Sequence, residues 1–216
     1  MTDAWPAGGD AGDAGPDGSL DESGAEPDPL AQFDKWFAEA AERLPEPTAM
    51  VLATVSASGL PRARTVLLKA HDSAGFVFYT NRASRKASDL AEVPRACLLF
   101  PWHPIRRQVI IEGTVSAMTT AESEPYFRSR PRGSQLGAWA SRQSSVIASR
   151  AELDDRFAAL SERWPEGTPV PMPPFWGGYL VRPEVYEFWQ GRADRLHDRL
   201  RYRRAGGRWV LERLAP

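Results

Sequence analysis

The sequence predicts a mainly β domain with a few peripheral helices (α+β), its strands closing into a barrel or a sandwich. Three observations carry this. Short runs rich in β-branched and aromatic residues follow one another from Thr48 to Arg213, with Gly, Asp, Ser or Pro turn signals between them. The βαβ alternation of a doubly wound sheet is missing, and no GxGxxG occurs. Helix signals stand only at the front of the domain and in short stretches between strands.

In chain order, Asp28-Pro29 reads as N-cap and first helical residue. Leu30, Phe33, Trp36-Phe37 and Ala40-Ala41 then repeat at helical spacing to about Leu44. Strands are expected at Thr48–Val55, ended by Ser56 to Gly59, at Pro61–Ala70, ended by a turn from His71 to Gly75, and at Phe76–Thr80. A short helix should cover Ser84–Val93, followed by long antiparallel strands at Arg95–Trp102 and Arg107–Ala117. Thr119-x-x-Glu122 and Ser149-x-x-Glu152 are capping-box patterns that open two more helices. Strands return at Tyr179–Arg182, Val185–Gln190, Leu200–Arg204 and Arg208–Arg213, with Ala205-Gly-Gly207 as a hairpin turn.

Composition fits one cytoplasmic domain. Apolar content of 42% is ample for a core, and the eight tryptophans suit packing or an interface. The single cysteine, Cys97, cannot form an internal disulfide and reads as a small core residue in a reducing compartment. No leader pattern and no apolar run near the ~20 residues of a spanning helix is present, so no membrane is expected. The first thirty residues hold eight acidic side chains and no Lys or Arg, leaving 27 basic against 20 acidic in the remainder. Residues 1–27 are expected to be a disordered acidic tail, too poor in apolar surface to dock and dispensable for fold and turnover. Residues 28–216 form the domain. Its basic balance suits phosphorylated small molecules. Nucleic acid competes, but the arginines are scattered among strands rather than gathered on one helix or tract, so no nucleic-acid partner is expected.

Four motifs carry chemistry. In Phe188-Trp189-Gln-Gly191-Arg-Ala-Asp194-Arg195-Leu-His197-Asp-Arg199, Arg195 and His197 are two apart and would leave the same face of an extended segment. A fixed cation beside a titratable imidazole suits gripping a small anion, and a solvated basic strand edge is the plain alternative. Arg64-Thr65-Val66-Leu67-Leu68-Lys69 has cations at both ends of an apolar strand, either a ligand wall or an edge strand with snorkelling ends. Tyr79-Thr80 followed by Ser84-Arg85-Lys86 puts a hydroxyl and two cations at a helix start, a phosphate site or an ordinary charged first turn. Tyr126 and Arg130 are four apart on one helix face, with Ser134 beyond a Pro-Arg-Gly break. They make a second phosphate site or a helix end with solvated arginines. His71 and His103 lack metal-ligand spacing, and no metal site is expected.

Taken together, Glu187-Phe-Trp-Gln-Gly191, Arg195-Leu-His-Asp-Arg199 and the closing Arg213-Leu-Ala-Pro216 resemble the C-terminal signature of pyridoxine/pyridoxamine 5'-phosphate oxidases, and the likeness extends back to about Asp28. The resemblance implies a split β-barrel of the FMN-binding oxidase type, a homodimer with two flavins at its interface. It implies oxidation of pyridoxamine or pyridoxine 5'-phosphate to pyridoxal 5'-phosphate by oxygen, with hydrogen peroxide released. By the same resemblance, FMN would be held by Arg64, Thr65, Val66, Leu67, Leu68, Lys69, Tyr79, Thr80, Arg85, Lys86, Gln108, Gln143, Ser144, Trp189 and Arg199. Lys69, Tyr126, Arg130 and Ser134 would hold the substrate phosphate, and Arg195 and His197 would close over the reacting carbon as catalytic residues. One departure is visible. The N-terminal Arg-x-x-Tyr segment usual in the family is missing, since no Lys, Arg or Tyr precedes Asp28. That keeps open a related oxidase of the phenazine-pathway type. A non-catalytic flavin-binding split barrel is the third reading; it would not need Tyr126, Arg130, Arg195 and His197 together.

Overall fold

The computed structural model describes residues 19–216, and residues 1–18 of the expected tail lie outside the described residues. Helix α1 (Pro29–Arg43) opens the domain, its first turn closed by the Asp28 side chain accepting from Leu30 N–H. Its apolar stripe of Phe33, Trp36 and Ala40 is buried. Phe33 meets Phe76, Phe100 and Trp102 at ring distances of 4.9, 5.1 and 5.8 Å. Interlocking aromatics of this kind fix one side-chain arrangement, beyond the area they remove from water.

Nine antiparallel strands make one curled sheet among the described residues: β1 (Ala49–Val55), β2 (Pro61–Leu67), β3 (Ala70–Asp72), β4 (Gly75–Asn81), β5 (Arg95–Phe100), β6 (Arg107–Ala117), β7 (Trp176–Gln190), β8 (Asp198–Ala205) and β9 (Arg208–Arg213). The order is β2-β1-β5-β6-β7-β4-β3, with β8 on the far half of β7 and β9 outside it. The path curls back on itself just after β2, where Leu68 N–H donates to Thr48 O and Lys69 N–H to Val77 O. This is a split barrel. Strand β7 is continuous where two strands were expected, because its first half pairs with β4 and β6 and its second with β6 and β8. A bulge shifts the β6–β7 register after Glu112, and there Gly113 runs so close to β7 that a Cβ would lie 2.0 Å from Arg182 O. The β8–β9 hairpin turns on Gly206 and Gly207, both at positive φ (58° and 79°), as a tight primed turn requires.

Four more helices flank the sheet: α2 (Arg85–Glu92), α3 (Thr120–Ser129), α4 (Arg132–Ala140) and α5 (Arg150–Arg163). The Thr119–Glu122 capping box is formed in full. At α5 the Ser149 hydroxyl accepts from Glu152 N–H, while the Glu152 carboxylate takes Ala148 N–H instead. Helix α4, not expected from the sequence, is held by the buried Leu136 and by Trp139, whose indole N–H reaches Pro171 O.

Two further expectations need correction. His71 sits in strand β3 opposite Phe76, not in a turn, with its Nε2 2.7 Å from Asp34. Residues 19–27 do not hang free: Leu20 is buried in the core cluster, and Glu26 O accepts the Tyr202 hydroxyl at 2.7 Å. Composition missed this because only Leu20 and the small Ala25 pack on the core and polar pairs do the rest.

Candidate active site

A cavity of about 1140 Å³ opens between β2, β4, α2, α3 and α4. Most of the sequence-predicted positions meet there: Arg64, Thr65, Val66, Leu67, Lys69, Tyr79, Thr80, Arg85, Lys86, Tyr126, Arg130, Ser134, Gln143 and Ser144 all line it. Six lining residues are cationic (Arg62, Arg64, Lys69, Arg85, Lys86, Arg130) and none is acidic. A wall of that sign selects anionic ligands.

One end is built on the start of α2. Lys86 is 8% exposed, and its ammonium donates to Gln143 Oε1 (2.6 Å), Thr80 Oγ1 (3.0 Å) and Ser84 Oγ (3.4 Å), all neutral oxygens. Desolvation, and then the charge of Arg64, lower its pKa to about 8. A buried cation surrounded by neutral acceptors gains from any anion placed beside it. Ser144 joins the same end: its hydroxyl accepts from Arg85 N–H at 3.3 Å, and its backbone is left-handed (φ 73°), a conformation uncommon for a non-glycine residue. Below the floor, Asp89, 2% exposed, accepts from Thr54 Oγ1 (2.8 Å) and from Arg62, and stands 3.7 Å from Arg64 Nη2. Arg64 also donates to Leu52 O at 3.0 Å, so both arginines are locked at the rim.

The other end lies where α3 gives way to α4. Arg130 is not on the helix face expected for it; it is the C-cap of α3, in extended conformation, because Pro131 cannot continue the helix. Its guanidinium lies over Trp176 (5.0 Å) and Phe127 (5.7 Å), and its Nη1 is buried with no partner in the protein. Desolvation lowers its pKa, opposed by the Tyr126 phenol. Arg130 lines the cavity, and a half-buried cation without an acidic partner gains from an anion placed beside it. Tyr126 and Ser134 stand on the same wall. Tyr79 stacks on Tyr126 at 4.2 Å and on Trp176 at 5.2 Å, with interplanar angles of 24° and 10°, so the three rings form one stacked cluster in the cavity wall. Trp176 and Arg62 were missed from sequence. Arg62 had a usable signal, since it precedes Arg64 by two on the same strand; Trp176 had none.

Leu68 does not reach the cavity and packs in the core at 3% exposure. Gln108, Trp189, Arg199, Arg195 and His197 are absent from its walls and gather elsewhere. Gln108 of β6 is opposite Trp189 of β7, which is opposite Arg199 of β8, so the three form one row across the sheet. His197 lies beside Trp189 at 4.6 Å, and its Nδ1 accepts from Arg192 N–H at 3.0 Å, leaving Nε2 as the free edge. The segment bearing Arg195 is not extended. It is a short 3-10 turn with Asp194 and Arg195 at φ 54° and 58°, so Arg195 and His197 do not leave the same face of an extended segment as expected. Arg199 is held by Glu187 at 2.8 Å.

A family model described as pyridoxamine 5'-phosphate oxidase matches residues 37–163, and one described as the pyridoxine 5'-phosphate oxidase C-terminal dimerisation region matches residues 176–216. A Salinispora arenicola protein named pyridoxine/pyridoxamine 5'-phosphate oxidase is 56% identical over 199 residues, 91% of this chain and 90% of its own. Among solved structures, PhzG from Burkholderia lata 383, in complex with tetrahydrophenazine-1-carboxylic acid, matches with a TM-score of 0.84 at 31% identity over 90% of this chain and 95% of that one. A pyridoxamine 5'-phosphate oxidase-related, FMN-binding protein of Nostoc punctiforme PCC 73102 matches with a TM-score of 0.70 over 88% of this chain and all of that one; at 17% identity the likeness concerns the fold alone.

Proposed function

The chain belongs to the pyridoxamine 5'-phosphate oxidase family, and from that premise we propose that it oxidises pyridoxamine 5'-phosphate or pyridoxine 5'-phosphate to pyridoxal 5'-phosphate, using FMN and oxygen. The observation that carries this reading is one cavity lined by cations from different elements, Arg85 and Lys86 on α2 and Arg130 at the end of α3, with the stacked rings of Tyr79, Tyr126 and Trp176 in its wall. An enzyme with a phosphorylated cofactor and a phosphorylated substrate needs cations in two places. The Lys86 end, with Arg85, Thr80, Gln143 and Ser144, would take the FMN phosphate, and Arg64 to Lys69 would lie along the flavin. The Arg130 end, with Tyr126, Ser134 and Lys69, would take the substrate phosphate. FMN held there would supply a two-electron acceptor that oxygen can reoxidise with release of hydrogen peroxide.

What the chain itself contributes is alignment. The phosphate grip fixes one end of the substrate, and Arg195 and His197 orient the carbon to be oxidised. For the amine, water completes the conversion: amine, oxygen and water give aldehyde, ammonia and peroxide. In one chain Arg195, His197, Gln108, Trp189 and Arg199 stand apart from the cavity, and residues 176–216 match a dimerisation region. We therefore assign this group to the cavity of a second copy across a two-fold axis, in a cytoplasmic homodimer. A second reading, oxidation of a phenazine-type ring, is favoured by the likeness to PhzG. The joint presence of Arg130, Tyr126, Ser134 and Lys69 in the cavity wall favours the vitamer phosphate. The test is to incubate protein, FMN and oxygen with pyridoxamine 5'-phosphate and record pyridoxal phosphate absorbance and peroxide. Turnover of the phosphorylated vitamer is expected; turnover confined to a non-phosphorylated ring substrate would replace this reading with the second.

A further inference from the structure

We propose that Leu20–Glu26 is a positioning strap that holds the loop carrying Arg195 and His197; this rests on the role given to that pair above. The loop has little of its own to hold it. Residues 192–196 are all exposed, Asp194 and Arg195 are left-handed, and the internal ties are Leu196 N–H to Ala193 O and Arg192 N–H to the His197 ring. Outside the loop, His197 lies against the Trp189 ring at 4.6 Å, and the polar hold falls on Asp198, one residue beyond His197. Its Oδ2 accepts Leu20 N–H at 3.2 Å and lies 3.6 Å from Arg192 Nε, while its Oδ1 accepts from Arg213 Nη1 at 3.0 Å.

Arg213 then ties the same point to the strap. Its Nε and Nη2 meet the two carboxylate oxygens of Glu22 at 2.9 and 2.7 Å, and Nη2 also reaches Leu20 O at 3.0 Å. A two-pronged guanidinium–carboxylate pair fixes direction as well as distance. The strap is itself anchored at both ends. Leu20 is 7% exposed within the core cluster, and at Glu26 the backbone N–H donates to Gln32 Oε1 (3.0 Å) while the carbonyl accepts from Tyr202. Between them the Asp21 carboxylate accepts from Ser23 and Gly24 N–H, both at 2.9 Å, closing a turn. An acidic stretch thereby fixes the direction of the arginine that, with Leu20 N–H and Arg192, orients the Asp198 carboxylate. Leu20, Glu22, Asp198 and Arg213 are positioning residues, since none of them lines the cavity.

The test uses the full chain with Glu22→Gln, an exposed change that keeps the shape and removes the charge, and Leu20→Ala as a second variant. Amide hydrogen exchange at residues 192–197 is measured beside steady-state turnover of pyridoxamine 5'-phosphate and FMN content. Faster exchange at 192–197, a kcat lowered roughly three- to tenfold by the misplaced pair, and unchanged FMN content are expected. Unchanged exchange at 192–197 in both variants overturns the strap, as does faster exchange with unaltered kcat. The exchange measurement needs no turnover. A wild-type protein inert toward the vitamer therefore defeats the functional reading without touching the exchange result.

Discussion

The two groups of candidate residues are held by opposite means. In the cavity, Lys86 is buried and all its contacts are inside the wall, Arg62 and Arg64 are pinned from below by Asp89, and Arg130 is sandwiched on Trp176. In the row along β6, β7 and β8, the backbone is regular but the pair expected to do the orienting, Arg195 and His197, rides on an exposed loop tied down from outside. On the proposed function, charge recognition would be built into packed elements, whereas alignment would be left to an exposed segment. Binding and turnover should therefore respond to different substitutions.

The largest effect should follow Arg195→Leu. Turnover of pyridoxamine 5'-phosphate is expected to fall about a hundredfold or more while FMN content stays near wild type, because the proposed role of the side chain is to orient substrate and it lines no cavity wall of its own chain. Equal loss of flavin would erase the distinction between the two groups. Lys86→Met should do the reverse, weakening FMN by about 1.5–3 kcal/mol, roughly ten- to a hundredfold, through a lost charge-assisted contact. Equilibrium flavin titration checks this, and an unchanged Kd would place the phosphate elsewhere.

A pH dependence should be smaller but more pointed. The folded, ligand-free chain holds the Lys86 pKa near about 8, below its ordinary 10.5, through desolvation first and the Arg64 charge second. Between those values the unfolded chain keeps the proton that the folded one has released, so free protein should gain stability as pH rises through that window. A phosphate needs the charged form, so FMN affinity should hold up to about pH 8 and then weaken by up to roughly tenfold per pH unit. Lys86→Arg should remove the break. A break that survives in Lys86→Arg would assign it to another group.

The sequence was most legible where local rules and tertiary environment agree. The alternation along Arg107–Ala117 marks a strand with one face buried, and Asp28 and Thr119 mark helix starts because their side chains cap their own turns. It was least legible where a distant partner decides. The break between β2 and β3 at Leu68-Lys69 exists because those amides pair with Thr48 and Val77, and α4 is helical despite Gly133 and Gly137 because Leu136 is buried. The strap at 19–27 is polar enough to read as unfolded, yet Arg213, Tyr202 and Asp198 wait for it on the far side of the sequence. In the site, residue types were readable one motif at a time. Their partition into a cavity and a separate row was not, since strand register, not spacing, sets which residues share a face.

The central claim is that the two groups meet only across a dimer, and mixed dimers test it directly. Arg130→Leu and Arg195→Leu chains are each prepared alone and then co-assembled. Each parent should be nearly inactive. A mixed dimer should regain one intact site, or about half the activity of a wild-type dimer, because the unmutated cavity of one chain faces the unmutated row of the other. No recovery in verified mixed dimers would mean that cavity and row serve the same chain, and the two-chain site would be wrong.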